Sequence, residues 1–338
     1  MKVKYWLFII VVLLGVVFFA PSVLCMNSLC KFFSFNQDTG AVGDTIGGTT
    51  APIVGLISIF LLIWTLIEQK KSNDKQIRFM QDERFENTLF NLLNEQREIT
   101  SSLYIDFHGL AKNDVTKEIH TNVRGYEFFK MAVYELKILF NSLDSKEFYK
   151  EYDSDAVGDM MERIADNLYY GVNLPHELKL ENEESILEGK NTALAAYFND
   201  LYKISQTEFL QYKSKSVENK IQFVYKKYFS RRINSGHYFR HLYRILKFIE
   251  LNETRELNMV RNDEQQTVKN KYLEYAQFVQ AQMSIEELLV IFYNSFCFPK
   301  MKGMLIKYNL LENLNVEKLI KSEHNCEPQY HLKKLDEI

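Results

Sequence analysis

The sequence predicts an all-α protein in which an N-terminal two-helix transmembrane hairpin is followed by a cytosolic multi-helix domain. Two long uncharged stretches near the N-terminus predict the hairpin. The composition predicts the helices, because only 5 of the 338 residues are proline and 13 are glycine, which leaves few turn signals. Several segments of the remaining chain space their apolar residues with a helical period, which indicates helices packed around a core.

The first uncharged stretch extends from Tyr5 to Cys30 and predicts a membrane span over residues 5–24. A cleaved signal peptide would begin in the same way. The apolar block is longer than the hydrophobic region of such a peptide, and a second apolar stretch follows it, so the sequence favours an uncleaved anchor.

The second uncharged stretch predicts a span over residues 49–67. A glycine-rich turn at residues 43–48 is expected to precede this helix. Thr49 or Thr50 would cap the helix start, and Pro52 would lie in the first turn, where its missing N–H is harmless.

Small residues recur every four positions at Gly47, Ala51 and Gly55, a spacing that lets helices approach closely in lipid. One interpretation is a homo-oligomer, or close packing of the two spans, through the membrane hairpin. The other is that Gly47 belongs to the turn, which leaves two small residues on the helix.

Basic residues flank the two spans and predict the orientation of the hairpin. Lys2 and Lys4 precede the first span, further Lys and Arg residues follow the second at positions 70, 71, 75 and 78, and the intervening loop has Lys31. Because cytoplasmic flanks are rich in Lys and Arg, we expect both termini to be cytoplasmic in a bacterial inner membrane.

Three parts of the chain are therefore expected: a transmembrane hairpin at residues 1–67, a helical stalk at residues 68–84 and a cytosolic α-helical domain at residues 85–338. Two apolar stripes at helical spacing support the helical domain. They are Phe85, Leu89, Leu92, Leu93 and Ile99, and Phe128, Ala132, Leu136 and Leu139. Further along, Ser284 followed by Glu287 predicts a capping box that separates two helices.

The charge balance excludes a general nucleic-acid coat, since 41 basic and 44 acidic side chains give a net charge of −3. The 4 cysteines, at positions 25, 30, 297 and 326, lack paired CxxC spacing, so we expect free thiols and no metal site. Cys25 and Cys30 would lie near or beyond the outer face of the membrane, where a disulfide is the alternative, although their spacing alone does not imply one. The sequence lacks phosphate-binding loops, nucleophile elbows, zinc-protease motifs and dinucleotide fingerprints, so no cofactor is expected.

Residues 221–251 carry the candidate chemistry of the chain. Two helices are predicted there, separated by turn residues 234–236. The second helix is expected to present Tyr238, Leu242, Ile245 and Ile249 on one face. His237, His241 and Arg244 are expected to lie together on another face.

Arg232 and His237 fit the R-x4-H spacing of HEPN-type ribonucleases and are the catalytic candidates. A histidine can act as general acid or base on an RNA 2′-hydroxyl, while an arginine stabilises charge on the phosphate, without a metal ion. The alternative is structural: Arg232 caps the end of one helix and His237 begins the next.

Arg231, Arg240, His241 and Arg244 are the candidate binding residues. Basic side chains interleaved with aromatic ones suit RNA or another phosphate-rich ligand. The alternative is a core helix that buries its aromatic face and leaves its basic face in solvent.

Five stretches of the chain have the pattern of a known family. They are GDTIGGTTAPIVGLISIFLLIWTLIEQ from residue 43, RFENTLFNLLNEQREI from residue 84, RGYEFFKMAVYEL from residue 124, HYFRHLYRILKFIE from residue 237 and AQMSIEELLVIFYNSF from residue 281. In these stretches the chain resembles the AbiC-like family of membrane-anchored bacterial phage abortive infection proteins. The resemblance implies a role in halting phage propagation, often with loss of the infected cell, and it brings no established reaction.

The chain departs from the family pattern at two places. Asn94, Glu95 and Gln96 stand where a histidine is expected after the FxLL pattern. Arg124 and Gly125 stand where the family tends toward the opposite order, Gly-Arg.

The leading hypothesis is a membrane-anchored phage-defence protein, a sensor or effector held in the lipid bilayer that responds to a phage-encoded protein. One alternative is a membrane-tethered, HEPN-like, metal-independent ribonuclease that acts on RNA. Another is a non-enzymatic membrane assembly protein.

Overall fold

A computed structural model describes residues 39–106, 122–154, 156–161, 188–231 and 235–334. Within these residues the chain is mostly helical, and the predicted all-α class is confirmed. The helices are α1 (Thr39–Ser102), α2 (Tyr126–Asp144), α3 (Glu188–Leu201), α4 (Gln206–Lys213), α5 (Val217–Arg231), α6 (Gly236–Leu257), α7 (Gln265–Gln280), α8 (Ile285–Ser295) and α9 (Pro299–Lys307). Two short strands, β1 (Tyr104–Asp106) and β2 (Asn122–Arg124), and 3-10 turns at Val316–Lys318, Ser322–His324 and Pro328–Tyr330 are also present.

Helix α1 begins earlier than the sequence predicts. It starts at Thr39 and contains Pro52 in its interior, so the glycine-rich turn and the threonine cap predicted just before Pro52 are wrong. A proline removes one backbone hydrogen bond from a helix, whereas each further residue of a propagating helix adds one. Gly47 therefore lies on the helix with Gly55, and its assignment to a turn is also wrong.

The structure describes one of the two predicted membrane spans. Residues 5–24 lie outside the described part of the chain, whereas residues 49–67 lie within α1. No helix among the described residues has both the length and the apolar character that a membrane crossing requires.

Large apolar side chains of α1 are exposed between residues 54 and 67. They are Val54, Leu56, Ile59, Phe60, Leu61, Leu62, Ile63, Trp64, Leu66 and Ile67. Leu61, Leu62 and Ile63 are consecutive, so the exposure covers more than one face of the helix. We call residues 54–67 the apolar segment of α1.

The chain divides between Phe85 and Glu86 into two compact units. The apolar segment belongs to the first unit. In the second unit, α1 buries Leu89 and Leu93 and partly buries Leu92, as the predicted apolar stripe requires.

A two-stranded antiparallel sheet, which the sequence analysis did not predict, precedes α2. It pairs β1 with β2 and places Tyr104 opposite Arg124. Gly125 follows with a φ of 63°, and its N–H donates a hydrogen bond to the Leu103 carbonyl at 3.0 Å. Glycine adopts this positive φ at little cost, so the order Arg124-Gly125 places the glycine where the turn into α2 needs it.

Helices α2 and α8 form the centre of the second unit. Helix α2 packs against α3, α5 and α8. Its predicted core face is confirmed, because Phe128, Ala132, Leu136 and Leu139 are all buried. Helix α8 is buried from Glu287 to Ser295, which places it inside the core rather than at its surface.

Helix α8 begins with the predicted capping box. The Glu287 N–H donates to Ser284 Oγ at 3.1 Å, and the Ser284 N–H donates to Glu287 Oε2 at 2.9 Å. A second capping box, which the sequence analysis missed, starts α4 at Ser205 and Glu208. Both pair N–H groups that a helix start otherwise leaves unbonded.

A buried histidine attaches the C-terminal segment to α8. His324 is 2 % exposed, and its Nδ1 lies 2.8 Å from the Tyr293 hydroxyl, which also accepts a hydrogen bond from the Ile320 N–H. Burial lowers the pKa of His324 from 6.5 to about 4, and nearby Lys321 acts in the same direction. His324 is therefore neutral in the folded protein near neutral pH.

Folding stability is expected to fall as the pH drops from 6.5 to about 4 because of His324. The unfolded chain binds a proton in this window and the folded chain does not, so the contribution is present above the window and lost on acidification. At about 1.4 kcal/mol per pKa unit, the free energy of unfolding should fall by about 3 kcal/mol over this window. Urea unfolding of the wild type and of His324→Asn over this pH range measures it, and parallel profiles for the two proteins would contradict it.

Truncation of Ile249 tests the packing of α6. Ile249 is 0 % exposed, so Ile249→Ala is expected to lower the free energy of unfolding by about 2–5 kcal/mol through lost burial and the cavity left behind. Leu251 lies two residues further on the same helix and is 54 % exposed, so Leu251→Ala should change the free energy of unfolding by less than about 0.5 kcal/mol. Equal losses in chemical denaturation would show that α6 packs differently.

Candidate functional site

Helix α6 carries most of the predicted site residues. Its predicted buried face is confirmed, because Tyr238, Leu242, Ile245 and Ile249 are at most 1 % exposed. The structure describes α5 up to Arg231 and α6 from Gly236, while residues 232–234, where the break is predicted, lie outside the described part of the chain.

The structure describes one of the two catalytic candidates. Arg232 lies outside the described residues. His237 is exposed in the first turn of α6, and it forms no hydrogen bond or ion pair within the described part of the chain. Their catalytic role stays a prediction.

Three of the candidate binding residues are exposed: Arg231, Arg240 and Arg244. Arg231 ends α5 and donates a hydrogen bond to the Leu201 carbonyl. Arg240 and Arg244 form no ion pair within the described residues. Because residues three and four apart lie on the same side of a helix, His237, Arg240 and Arg244 share one side of α6.

The acidic residues of α6 are turned away from this basic side. Glu253 accepts a hydrogen bond from Tyr308 at 2.7 Å and pairs with Lys307 at 2.7 Å. Glu256 pairs with Lys271 at 3.0 Å. Glu250 continues the same acidic row at i, i+3 spacing and pairs with Lys247 at 2.6 Å. The helix therefore has an acidic side that is bonded within the protein and a basic side that faces solvent.

His241 lies at i, i+4 spacing from His237 and at i, i+3 spacing from Arg244, but unlike those two residues it is buried. It is 6 % exposed, and its Nδ1 lies 2.8 Å from Gln96 Oε1. Since an amide oxygen only accepts, His241 donates from Nδ1. Its Nε2 lies 3.2 Å from Glu95 Oε2, within ion-pair range but without hydrogen-bond alignment.

A second buried contact lies one turn earlier on α6. The Tyr238 hydroxyl donates to Glu287 Oε1 at 3.1 Å, while the other carboxylate oxygen of Glu287 accepts the Ser284 N–H. Burial raises the pKa of Glu287, and these two hydrogen bonds partly oppose the rise. Burial likewise raises the pKa of Tyr238 well above 10, the negative charge of Glu287 adds to the rise, and Gln96 partly offsets it.

We call Glu95, Gln96, Tyr238, His241 and Glu287 the α1–α6 junction. It links α1, α6 and α8 within the second unit through polar groups that are buried, apart from Glu95, whose side chain is exposed. His241 is buried and bonded to Gln96, and its role as a binding residue stays a prediction. The described residues also hold no group of His, Cys, Asp or Glu arranged to bind a metal ion.

Sequence reasoning missed the junction although two of its parts were visible. Glu95 and Gln96 stood out as departures from a family pattern, and Glu287 as a capping residue. Nothing in the sequence connects Gln96 to His241, which lies 145 positions further on. The one available signal was a pair of polar residues next to an apolar stripe on α1.

Comparison with known proteins gives one match. Residues 230–319 match the family described as "putative phage abortive infection protein", which confirms the resemblance over the stretches that begin at residues 237 and 281. The matched residues include α6, α7, α8 and α9. Neither the curated proteins nor the solved structures include a match to the chain.

Loss of the Gln96 amide is expected to destabilise the junction. Gln96→Leu removes the acceptor of the buried His241 N–H, which costs about 1–3 kcal/mol when a buried donor is left unbonded. Asn94 is exposed on the same helix, so Asn94→Ala is a matched control that should be nearly neutral. Chemical denaturation of both variants measures the difference, and equal stabilities would show that the hydrogen bond contributes nothing.

Proposed function

We propose that this chain is a phage-defence protein that acts from the bacterial inner membrane, as a sensor or effector with its helical body in the cytosol. The match of residues 230–319 to a phage abortive infection family carries the defence role. Membrane location is supported by the exposed apolar segment of α1 and by the uncharged sequence at residues 5–24. The basic residues that flank both uncharged stretches support the cytosolic placement of the body.

The proposed trigger is a phage-encoded protein that binds the helical body and displaces the α1–α6 junction. A buried hydrogen bond such as that between Gln96 and His241 favours one arrangement strongly, because separation of the two groups leaves both unbonded. Helix α1 contains both Gln96 and the apolar segment. A trigger that favours a different arrangement of the junction residues therefore also acts on the helix that we assign to the membrane. The proposed consequence is damage to the membrane of the infected cell.

Removal of residues 1–67 is expected to abolish protection against phage. The truncated chain keeps the helical body but loses the part assigned to the membrane, so it should accumulate normally and fail to reduce phage plating. Plating on cells that express the full chain, the truncated chain or neither measures this. Full protection by the truncated chain would contradict the proposed coupling, and equal plating on all three would reject the defence role and favour an assembly protein.

The ribonuclease alternative has one observation in its favour. His237 is exposed on the same side of α6 as Arg240 and Arg244, neither of which is ion-paired within the described residues. A solvent-facing histidine next to cationic side chains has access to a phosphodiester.

His237→Ala distinguishes the two candidate functions. Under the membrane proposal, protection should persist, because His237 takes no part in the junction. Loss of protection at unchanged protein level and membrane location would favour the ribonuclease. His331→Asn is a suitable control, since His331 is also exposed and asparagine tolerates its φ of 49°.

A further inference from the structure

The basic side of α6 extends along the whole helix. Positions 237, 240, 244 and 255 fall on one side at about 100° per residue, and all four are basic and exposed. From His237 to Arg255 the row is about 27 Å long at about 1.5 Å per residue. We call His237, Arg240, Arg244 and Arg255 the basic stripe.

Exposed apolar side chains accompany the basic stripe. Leu251 lies on the same side of α6 and is 54 % exposed, and Met259, just after the helix end, is 74 % exposed. The acidic residues of α6 are paired on the opposite side of the helix. Glu95 of α1 lies close to the stripe, because its Oε2 is 3.2 Å from His241 Nε2. A row of basic side chains that includes three arginines, with protruding apolar side chains, has the chemistry of a helix that lies on an anionic lipid surface.

We propose that the basic stripe docks on the anionic headgroups of the membrane, with Leu251 and Met259 entering the interface. This inference rests on the proposed membrane location and adds a second, reversible contact to it. RNA fits the stripe less well, because binding of single strands relies on exposed aromatic rings. Tyr238 and Phe239 are buried, and Phe248, the aromatic residue closest to the stripe, is half-buried.

A fluorescent label near the stripe tests the docking in the full chain. The cysteines at positions 25, 30, 297 and 326 are first replaced by serine, and a polarity-sensitive fluorophore is attached at Met259→Cys. The protein is reconstituted into vesicles of phosphatidylcholine alone, or with phosphatidylglycerol, that carry a nitroxide quencher at the headgroup. The label should be quenched only in the anionic vesicles. A label at Leu210→Cys, which is 61 % exposed on α4, should not respond.

Charge removal gives the matched pair of variants. Each basic residue near an anionic surface strengthens binding about fivefold, so Arg240→Gln, Arg244→Gln and Arg255→Gln together should lower the docked-to-free ratio about 100-fold. The control removes the same charge elsewhere on the surface. It carries Lys269→Gln, Lys300→Gln and Lys318→Gln, all exposed, and should keep the docking.

Three outcomes would overturn the inference: equal quenching in both vesicle types, equal quenching of the two triple variants, or a response to added RNA that exceeds the response to anionic lipid. Alkaline extraction of the vesicles separately tests the membrane location. If alkaline extraction releases the full chain, the chain has no membrane span, and its flotation with the same vesicles then measures binding through the basic stripe. Failure to float with anionic vesicles would then contradict docking of the stripe as well.

Discussion

A hydrogen-bond donor buried among apolar side chains needs a partner, and the contact between α1 and α6 supplies one for His241. The apolar face of α6 enters the core, and His241, at the edge of that face, enters with it. The Nδ1–H of His241 is satisfied by Gln96, on the part of α1 that belongs to the second unit. The pairing of Tyr238 with Glu287 extends the same constraint to the start of α8. Polar contacts thus connect these three helices in addition to their apolar packing.

The orientation of α6 that buries its apolar face also separates its acidic residues from its basic ones. Once the apolar face and His241 point inward, the helical period places the glutamates on the side that meets α7 and α9, where lysine and tyrosine partners are available. The arginines then remain on the solvent side. A chain with a net charge of −3 therefore carries a long cationic row that its composition hides. Membrane docking and phosphate binding both become chemically accessible at that row.

Local features of the fold were predictable from sequence, and contacts between distant residues were not. The apolar stripes of α1, α2 and α6 and the capping box at Ser284 depend on neighbours within about one turn, so periodicity shows them. The start of α1 at Thr39 was missed because helix propagation outweighed the turn chemistry before Pro52. The burial of His241 was missed because its partner is 145 residues away, and helical spacing alone places His241 beside His237 and Arg244.

We propose that the protein defends the cell by acting at the membrane. A time course in infected cells that express the full chain, with membrane potential and RNA integrity followed in the same culture, tests this most directly. The account predicts that the membrane depolarises before any RNA is cleaved, and that uninfected cells keep their potential. Cleavage of cellular RNA while the membrane potential is intact would contradict it.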